Sequence, residues 1–394
     1  MKRLKLRVVS VLLVTALVYI KLFQHTSLTD DEVHPVAPRN SHSGTSKLIL
    51  AYTNVYGREF NITSYGRTGY EMNREANPLA SCEYRCEWST NKEDYTRSDA
   101  VLFHLYNNHK NKDFRLAHLP KRFSSQQKWI FMAREPQAFY YPEQLKLLND
   151  SFNLTMTFQS DSDVVIPYGT FWRHPTASQA YKASMKLDYL SGKTKLVAWL
   201  VSNCKTSSRR EEFVKQLQQH IPIDVYGKCG NLTTDTNSAN GFRDEIAKKY
   251  MFYIAFENSD CDDYISEKFW NSLHIGIIPI VRGQRGKYKK FAPPNSYIHA
   301  DAFVAPELLA NHLKEISKNS TLFHKYHEWR RHYDANYKFF TTNSRWMCDL
   351  CDKVHNSKPQ TVNIYNHFSE DSRCFTYLDH RGRDRYDEHV EDIS

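Results

Sequence analysis

The sequence lacks the short signatures of the common nucleotide-handling folds. It holds no G-x-G-x-x-G and no G-x-x-x-x-G-K-[ST], which argues against a dehydrogenase or a P-loop kinase. Its 18 histidines include no H-E-x-x-H. Glycine (13) and proline (14) are scarce in 394 residues, so a collagen-like or low-complexity chain is excluded. No internal repeat is visible. Lys and Arg form no extended block and no nucleic-acid motif, so no nucleic-acid partner is expected. A mean hydropathy of −0.64 excludes a many-spanning membrane protein.

What is present is ordinary for a globular protein. Hydrophobic residues make up 41% and charged residues 25%. The length suggests two domains, with three as the alternative, and such a chain can bury a sizeable core. Aromatics reach 14%, with 25 Tyr and 22 Phe, which fits a large fold with grooves. The formal charge is 53 − 44 = +9. Part of it is local, in Lys2, Arg3, Lys5 and Arg7.

Behind that cluster, Val8 to Ile20 is uncharged. As a helix, 8–23 spans about 24 Å, short against a hydrocarbon core of about 30 Å. Lys21 can snorkel, and secretory-pathway membranes are thinner. The basic cluster precedes the apolar run, so the positive-inside rule keeps residues 1–7 cytosolic. The expectation is a type II signal-anchor. A cleaved signal peptide is the alternative, but no small-x-small site follows. Both place the body in the secretory pathway. Five N-x-[ST] sequons agree, at Asn61, Asn149, Asn153, Asn231 and Asn319. Asn149, with Asp150 in the middle, is the poorest. The eight cysteines, Cys82, Cys86, Cys204, Cys229, Cys261, Cys348, Cys351 and Cys374, read as disulfides in an oxidising lumen. The rival is a zinc site of four thiolates from Cys82, Cys86, Cys348 and Cys351. Spacing gives no connectivity.

Residues 24–46 are polar, with Pro35 and Pro38, and read as a stem. From Lys47 short apolar runs alternate with helix-like stretches. Strands are expected at 48–52, 100–105, 129–133, 154–158, 196–201, 223–227, 252–256 and 277–281, several of them continuous apolar runs as in parallel strands covered on both faces. Helices are expected within 207–220 and 262–274 and from Pro306. This order implies two parallel sheets with crossover helices, dividing near 180–193. A ligand would lie between them, at the carboxyl ends of the strands.

Three segments carry the chemistry. In 252–270 a strand ends at Phe256 and spills Glu257, Asn258 and Ser259, followed by Tyr264 and by Glu267-Lys268 at a helix start. A carboxylate there can bridge ribose hydroxyls, and the Lys and helix N-terminal amides can meet a diphosphate. In 197–213 a strand presents Ser202 and Asn203, followed by Arg209 and Arg210 near a helix start. An Arg there opposes the helix dipole unless a diphosphate is bound. In 128–139 a carboxylate, Glu135, lies just beyond an apolar strand.

These segments resemble the α1,3-fucosyltransferases. The resemblance is carried by Tyr253-Ile-Ala-Phe-Glu-Asn-Ser259 with Asp263-Tyr-Ile-Ser-Glu-Lys268, running on through Leu273 and Gly276. Ser266 replaces the commoner Thr. It continues in Val201-Ser-Asn-Cys204, in 224–230, in Trp129 through Glu135-Pro136, and in Phe152 to Gly169, where Phe158 replaces a Tyr. It covers about residues 48–355. It implies a fold of two Rossmann-like domains facing a cleft (GT-B type): 47–185 as acceptor domain, 186–355 as GDP-fucose domain, and 356–394 as an extension of unknown role. It implies that Tyr168, Ser202, Asn203, Arg210, Tyr253, Glu257, Asn258, Tyr264, Glu267 and Lys268 bind the donor, and that Glu135 is the catalytic base. Arg209 falls where the family has a small residue. The Cys348-x-x-Cys351 pair would join Cys82 and Cys86. Asp161 and Asp163 look like a metal-binding D-x-D but match a metal-free place in this family. The expected reaction is inverting transfer of L-fucose from GDP-β-L-fucose to a GlcNAc 3-hydroxyl, on a LacNAc or LacdiNAc antenna or an N-glycan core. No cofactor is expected to bind tightly, with Mn2+ or Mg2+ at most stimulating. The partners implied are the donor, a glycoprotein or glycolipid glycan, and a Golgi membrane spanned once. An inactive glycan-binding protein on the same fold is the alternative.

Overall fold

The computed structural model describes residues 43–56, 58–60, 62, 79–80, 82–105, 119–173, 188–233, 245–336, 345–369 and 373–375. The expected tail (1–7), anchor (8–23), most of the stem (24–46), Asn61, the boundary near 180–187 and residues 376–394 lie outside them. No helix among the described residues is long and apolar enough to cross a membrane.

The first sheet contains β1 (Ser43–Ala51), β2 (Tyr84–Ser89), β3 (Ala100–His104), β4 (Lys128–Met132), β5 (Leu154–Thr157) and β6 (Val164–Val165). Their order is β2-β1-β3-β4-β5-β6, and every pairing is parallel. Helix α1 (Pro142–Leu147) precedes β5. β3 and β5 are buried along their whole length, the outcome expected of a continuous apolar run sandwiched on both faces.

Beyond β7 (Thr170–Arg173), the second sheet is built from β8 (Lys195–Leu200), β9 (Ile223–Tyr226), β10 (Tyr250–Ile254), β12 (Ile278–Val281) and β13 (Ile298–His299), with the two-residue β11 (Asp260–Cys261) lying outside it. Its order is β13-β12-β10-β8-β9, again all parallel. Helices α2 (Arg210–Leu217), α3 (Glu267–His274), α4 (Arg285–Phe291) and α5 (Pro306–Lys318) connect or cover these strands. In each sheet the first strand lies between the second and third. This is the flavodoxin-like order, and it opens a crevice at the carboxyl end where the winding reverses, between β8 and β10 in the second sheet.

The chain then runs through α6 (Ser320–Lys325) and β14 (Tyr333–Asn336), which pairs antiparallel with β7, to α7 (Arg345–Asn356), α8 (Ile364–His367) and β15 (Cys374–Phe375). Here the structure departs from the expected domain division. α7 packs its Trp346, Met347, Leu350, Cys351 and Val354 into the core of the first sheet, although it falls inside the span expected for the second lobe. Disulfides Cys82–Cys348 and Cys86–Cys351 fix it there, and Cys204–Cys229 and Cys261–Cys374 complete the set. All four cysteines of the rival zinc reading are thereby oxidised. β1 also begins at Ser43, inside the stretch expected as stem.

Candidate active site

The βα loop after β10 is organised around the buried carboxylate of Glu257. Glu257 is 3% exposed. Its Oε1 accepts from Ser266 N–H at 2.7 Å, and its Oε2 accepts from Ser266 Oγ at 2.7 Å and Lys268 Nζ at 3.1 Å. The helix starts only at Glu267, so residues 262–266 of the stretch expected as helix lie in the loop. Glu257 therefore supports the site from within, while Glu267 is the exposed carboxylate, with its Oε1 3.5 Å from Lys268 Nζ. Burial works against the charge of Lys268, but Glu257 and Glu267 prevail and hold its pKa above the usual lysine range.

Arg210 lies at the switch point. It is 4% exposed and donates to Phe256 O at 2.9 Å and Asn203 O at 3.2 Å, joining the loops after β10 and β8. Arg209 instead turns toward Glu212 on the surface. Ser202 and Asn203 are exposed at the end of β8. The Asn258 carbonyl accepts from Ser208 N–H, while its buried Oδ1 has no hydrogen-bond partner among the described residues. Tyr253 is buried beneath the loop, and desolvation pushes its hydroxyl up to about 12 against the pull of Lys268.

Glu135 comes from the first lobe, just past β4. Burial raises its pKa. A hydrogen bond from Tyr56 Oη to its Oε1, 2.9 Å, opposes that shift. Glu267 raises it further, while Lys268 and Arg134 lower it. The carboxyl thus feels two charges of the second lobe across the cleft. Tyr168 and Tyr264 also meet across it, edge to face with centroids 5.9 Å apart, and Arg134 lies 4.6 Å over the Tyr168 ring. Close approach here needs Gly169, because a Cβ at that position would lie 2.2 Å from the Trp270 ring.

Three non-glycine residues with positive φ frame the cleft: Tyr56 (51°), Arg209 (49°) and Asp263 (57°). Such backbone costs about 1 kcal/mol or more each and clusters at functional sites. Tyr56 is absent from the sequence-based candidates. Its signal is modest: an Asn-Val-Tyr-Gly turn directly after β1, at the first sheet's own switch point.

The D-S-D carboxylates point elsewhere. Asp163 accepts from Thr155 N and Oγ1, at 2.9 and 3.1 Å, and Asp161 pairs with Arg373 at 2.5 Å. Of the sequons, Asn231 and Asn319 are exposed. Asn153 is half-buried; its Oδ1 accepts from Arg122 and from Trp129 N–H, and its Nδ2 donates to Gln360 O.

Two doubly wound parallel sheets, with fixed cations at the carboxyl end of one and a carboxylate beyond β4 of the other, offer the charges that a sugar-nucleotide-dependent glycosyltransferase uses. The family model described as glycosyltransferase family 10 (fucosyltransferase) C-term matches residues 190–370, and that described as fucosyltransferase, N-terminal, matches 44–169. The chain belongs to this fucosyltransferase family. It is 32% identical over 372 residues to alpha-(1,3)-fucosyltransferase C of Drosophila melanogaster, covering 88% of this chain and 82% of that protein. It is 37% identical over 247 residues to a 4-galactosyl-N-acetylglucosaminide 3-alpha-L-fucosyltransferase of Homo sapiens, covering 62% and 65%. The fold matches the crystal structure of an alpha1,3-fucosyltransferase with GDP-fucose at TM-score 0.51 and 15% identity, over 82% of this chain and 94% of that one.

Proposed function

We propose that this chain transfers L-fucose from GDP-β-L-fucose to the 3-hydroxyl of a GlcNAc residue in a glycoprotein or glycolipid glycan, inverting the anomeric centre. The observation that carries the reading is that Tyr168, whose hydroxyl donates to the Arg134 carbonyl next to Glu135, meets the ring of Tyr264 in the loop that leads to Glu267 and Lys268. A carboxylate whose pKa is raised by burial is a stronger base, and it is suited to taking a proton near neutral pH. Glu135 removes the acceptor proton as the hydroxyl attacks the anomeric carbon, and the bond to GDP breaks. Arg210 and Lys268 supply fixed positive charge for the departing diphosphate, aided by the amides at the start of α3. Ser202, Asn203, Asn258 and Glu267 are the polar groups available to the nucleotide, and Tyr168, Tyr253 and Tyr264 wall it. Because Asp161 and Asp163 are committed to protein partners, no tight divalent site is assigned to them, and Mn2+ or Mg2+ acts at most as a stimulant.

The body works in the lumen of the secretory pathway, held to the Golgi membrane by residues 8–23. Four disulfides among the described residues support an oxidising compartment. The test is to incubate the purified full chain with GDP-fucose and a panel of antenna and N-glycan-core acceptors, reading added deoxyhexose by mass spectrometry with linkage analysis. A 3-linked product confirms the reaction and names the acceptor. GDP-fucose binding without transfer to any acceptor would instead favour a glycan-binding protein on this fold.

A further inference from the structure

The segment after α7 takes no part in the chemistry above, yet it is tied down along its described length. Lys128 Nζ donates to Val354 O and Ser357 Oγ, both 2.8 Å, where the segment leaves the helix. Val362 N–H then donates to Phe152 O at 2.9 Å, its carbonyl accepts from Asp150 N–H at 3.0 Å, and Gln360 O takes the Asn153 amide. Ile364 and Phe368 are fully buried against the first lobe, with Phe368 5.3 Å from both Phe131 and Tyr140. The path ends on the other lobe. β15 pairs with β11, and Cys374 is bonded to Cys261 in the middle of the donor loop.

That loop is electrostatically awkward. Asp260, Asp262 and Asp263 place three carboxylates in four residues, with Asp263 at positive φ. Like charges so close repel one another, and the loop needs cations to hold a single shape. Lys287 serves Asp260 at 2.9 Å and Lys290 serves Asp263 at 3.1 Å, both from α4. Arg373 serves Asp262 at 3.9 Å, accepts the Asp262 N–H on its carbonyl at 2.8 Å, and pairs with Asp161 of the first lobe at 2.5 Å. One guanidinium therefore bridges the lobes, from Asp161 of the first to Asp262 in the donor loop.

We propose that Arg373 and the Cys261–Cys374 disulfide are positioning groups for the donor: the C-terminal segment is a strap that holds the loop from Asn258 to Ser266 in its GDP-fucose-binding shape. The proposal rests on the donor-site reading given above. A preformed loop spares the ligand the cost of ordering it, so release of the strap weakens donor binding and leaves the acceptor side untouched.

The test uses the full chain as wild type, Arg373→Ala, Arg373→Lys and the double variant Cys261→Ser/Cys374→Ser. GDP binding is titrated by calorimetry, and KM is measured separately for GDP-fucose and for the acceptor that wild type uses. The expected result is a rise of about tenfold in the GDP Kd and donor KM for Arg373→Ala and the double variant, with acceptor KM within about twofold. Arg373→Lys restores part of the loss. Arg373→Ala keeps the disulfide, so it decides the matter if the double variant does not fold. Donor constants within about twofold of wild type, with only a lower Tm, make the strap a stabiliser and overturn the proposal. Wild type that fails to bind GDP overturns the donor-site reading itself, and the strap's role with it.

Discussion

Tyr56 donates a hydrogen bond to Glu135 across 79 positions of sequence, and it does so from a left-handed turn. The bond favours the carboxylate over the acid, against the desolvation that raises the Glu135 pKa. The base is therefore a balance of two opposed effects, and either can be removed by substitution.

Tyr56→Phe removes the bond and keeps the ring. The Glu135 pKa rises further, and a base works only when deprotonated. The acidic limb of the kcat/KM profile therefore moves to higher pH, with GDP affinity unchanged. An unshifted limb would separate Tyr56 from the base.

Glu135→Gln lowers turnover by about 10²-fold or more, the usual worth of a positioned base, while GDP still binds. The same variant carries a stability signature. A carboxyl whose folded pKa lies above its unfolded value contributes stability below the unfolded pKa and loses it as pH rises through the folded pKa. At neutral pH the native Glu135 is thus a burden. Thermal melts at pH 7 should show Glu135→Gln at least as stable as wild type, and a clear fall in Tm would assign the residue a structural role.

Glu257→Ala leaves Ser266 N–H and Lys268 without their buried partner. Breaking a buried ion pair from one side costs about 3–5 kcal/mol. Urea unfolding measures that loss. GDP titration should show weaker binding as well, since Lys268 and the start of α3 lose their anchor. Weakened binding alone, with unchanged stability, would place Glu257 at the ligand rather than behind it.

The Cys82–Cys348 and Cys86–Cys351 bonds close loops of 266 and 265 residues, which are almost the same loop. While one bond stands, the other closes only the few residues between the cysteines. By the chain-entropy argument, replacing one pair with Ser costs about 2 kcal/mol, and replacing the second pair costs about 5 kcal/mol more. Denaturant titrations of the two single-pair variants and the four-serine variant test this. Equal and additive losses would mean that the bonds act through local contacts instead.

Strands β3, β4, β5, β8, β10 and β12 were legible because both their faces are covered, so each reads as an apolar run. β2 was not. It is an edge strand with burial alternating irregularly, and polar side chains occupy its open positions. β6, β11, β13 and β15 are two residues long and exist only because a neighbour pairs with them. Helix α5 was legible at its first residue, since Pro306 suits the first turn and Leu309, Leu313 and Ile316 mark one face. The start of α3 was not, because the carboxylate that sets it, Glu257, lies nine residues back from Ser266, at the start of the loop.

By itself the sequence determined two parallel sheets, the donor loop from Asn258 to Lys268, an even cysteine count and a carboxylate placed after β4. These are local matters of periodicity, of residue type at strand ends and of charge at helix starts. Only the tertiary structure decided that α7 belongs to the first lobe, that Glu257 is buried support while Glu267 faces out, and that Tyr56 reaches Glu135. It alone joined Cys374 to Cys261 and set Arg373 between Asp161 and Asp262. Those contacts span tens to hundreds of residues, and no local pattern encodes them. They form when two sheets bury their faces and bring the carboxyl ends of their strands to one cleft.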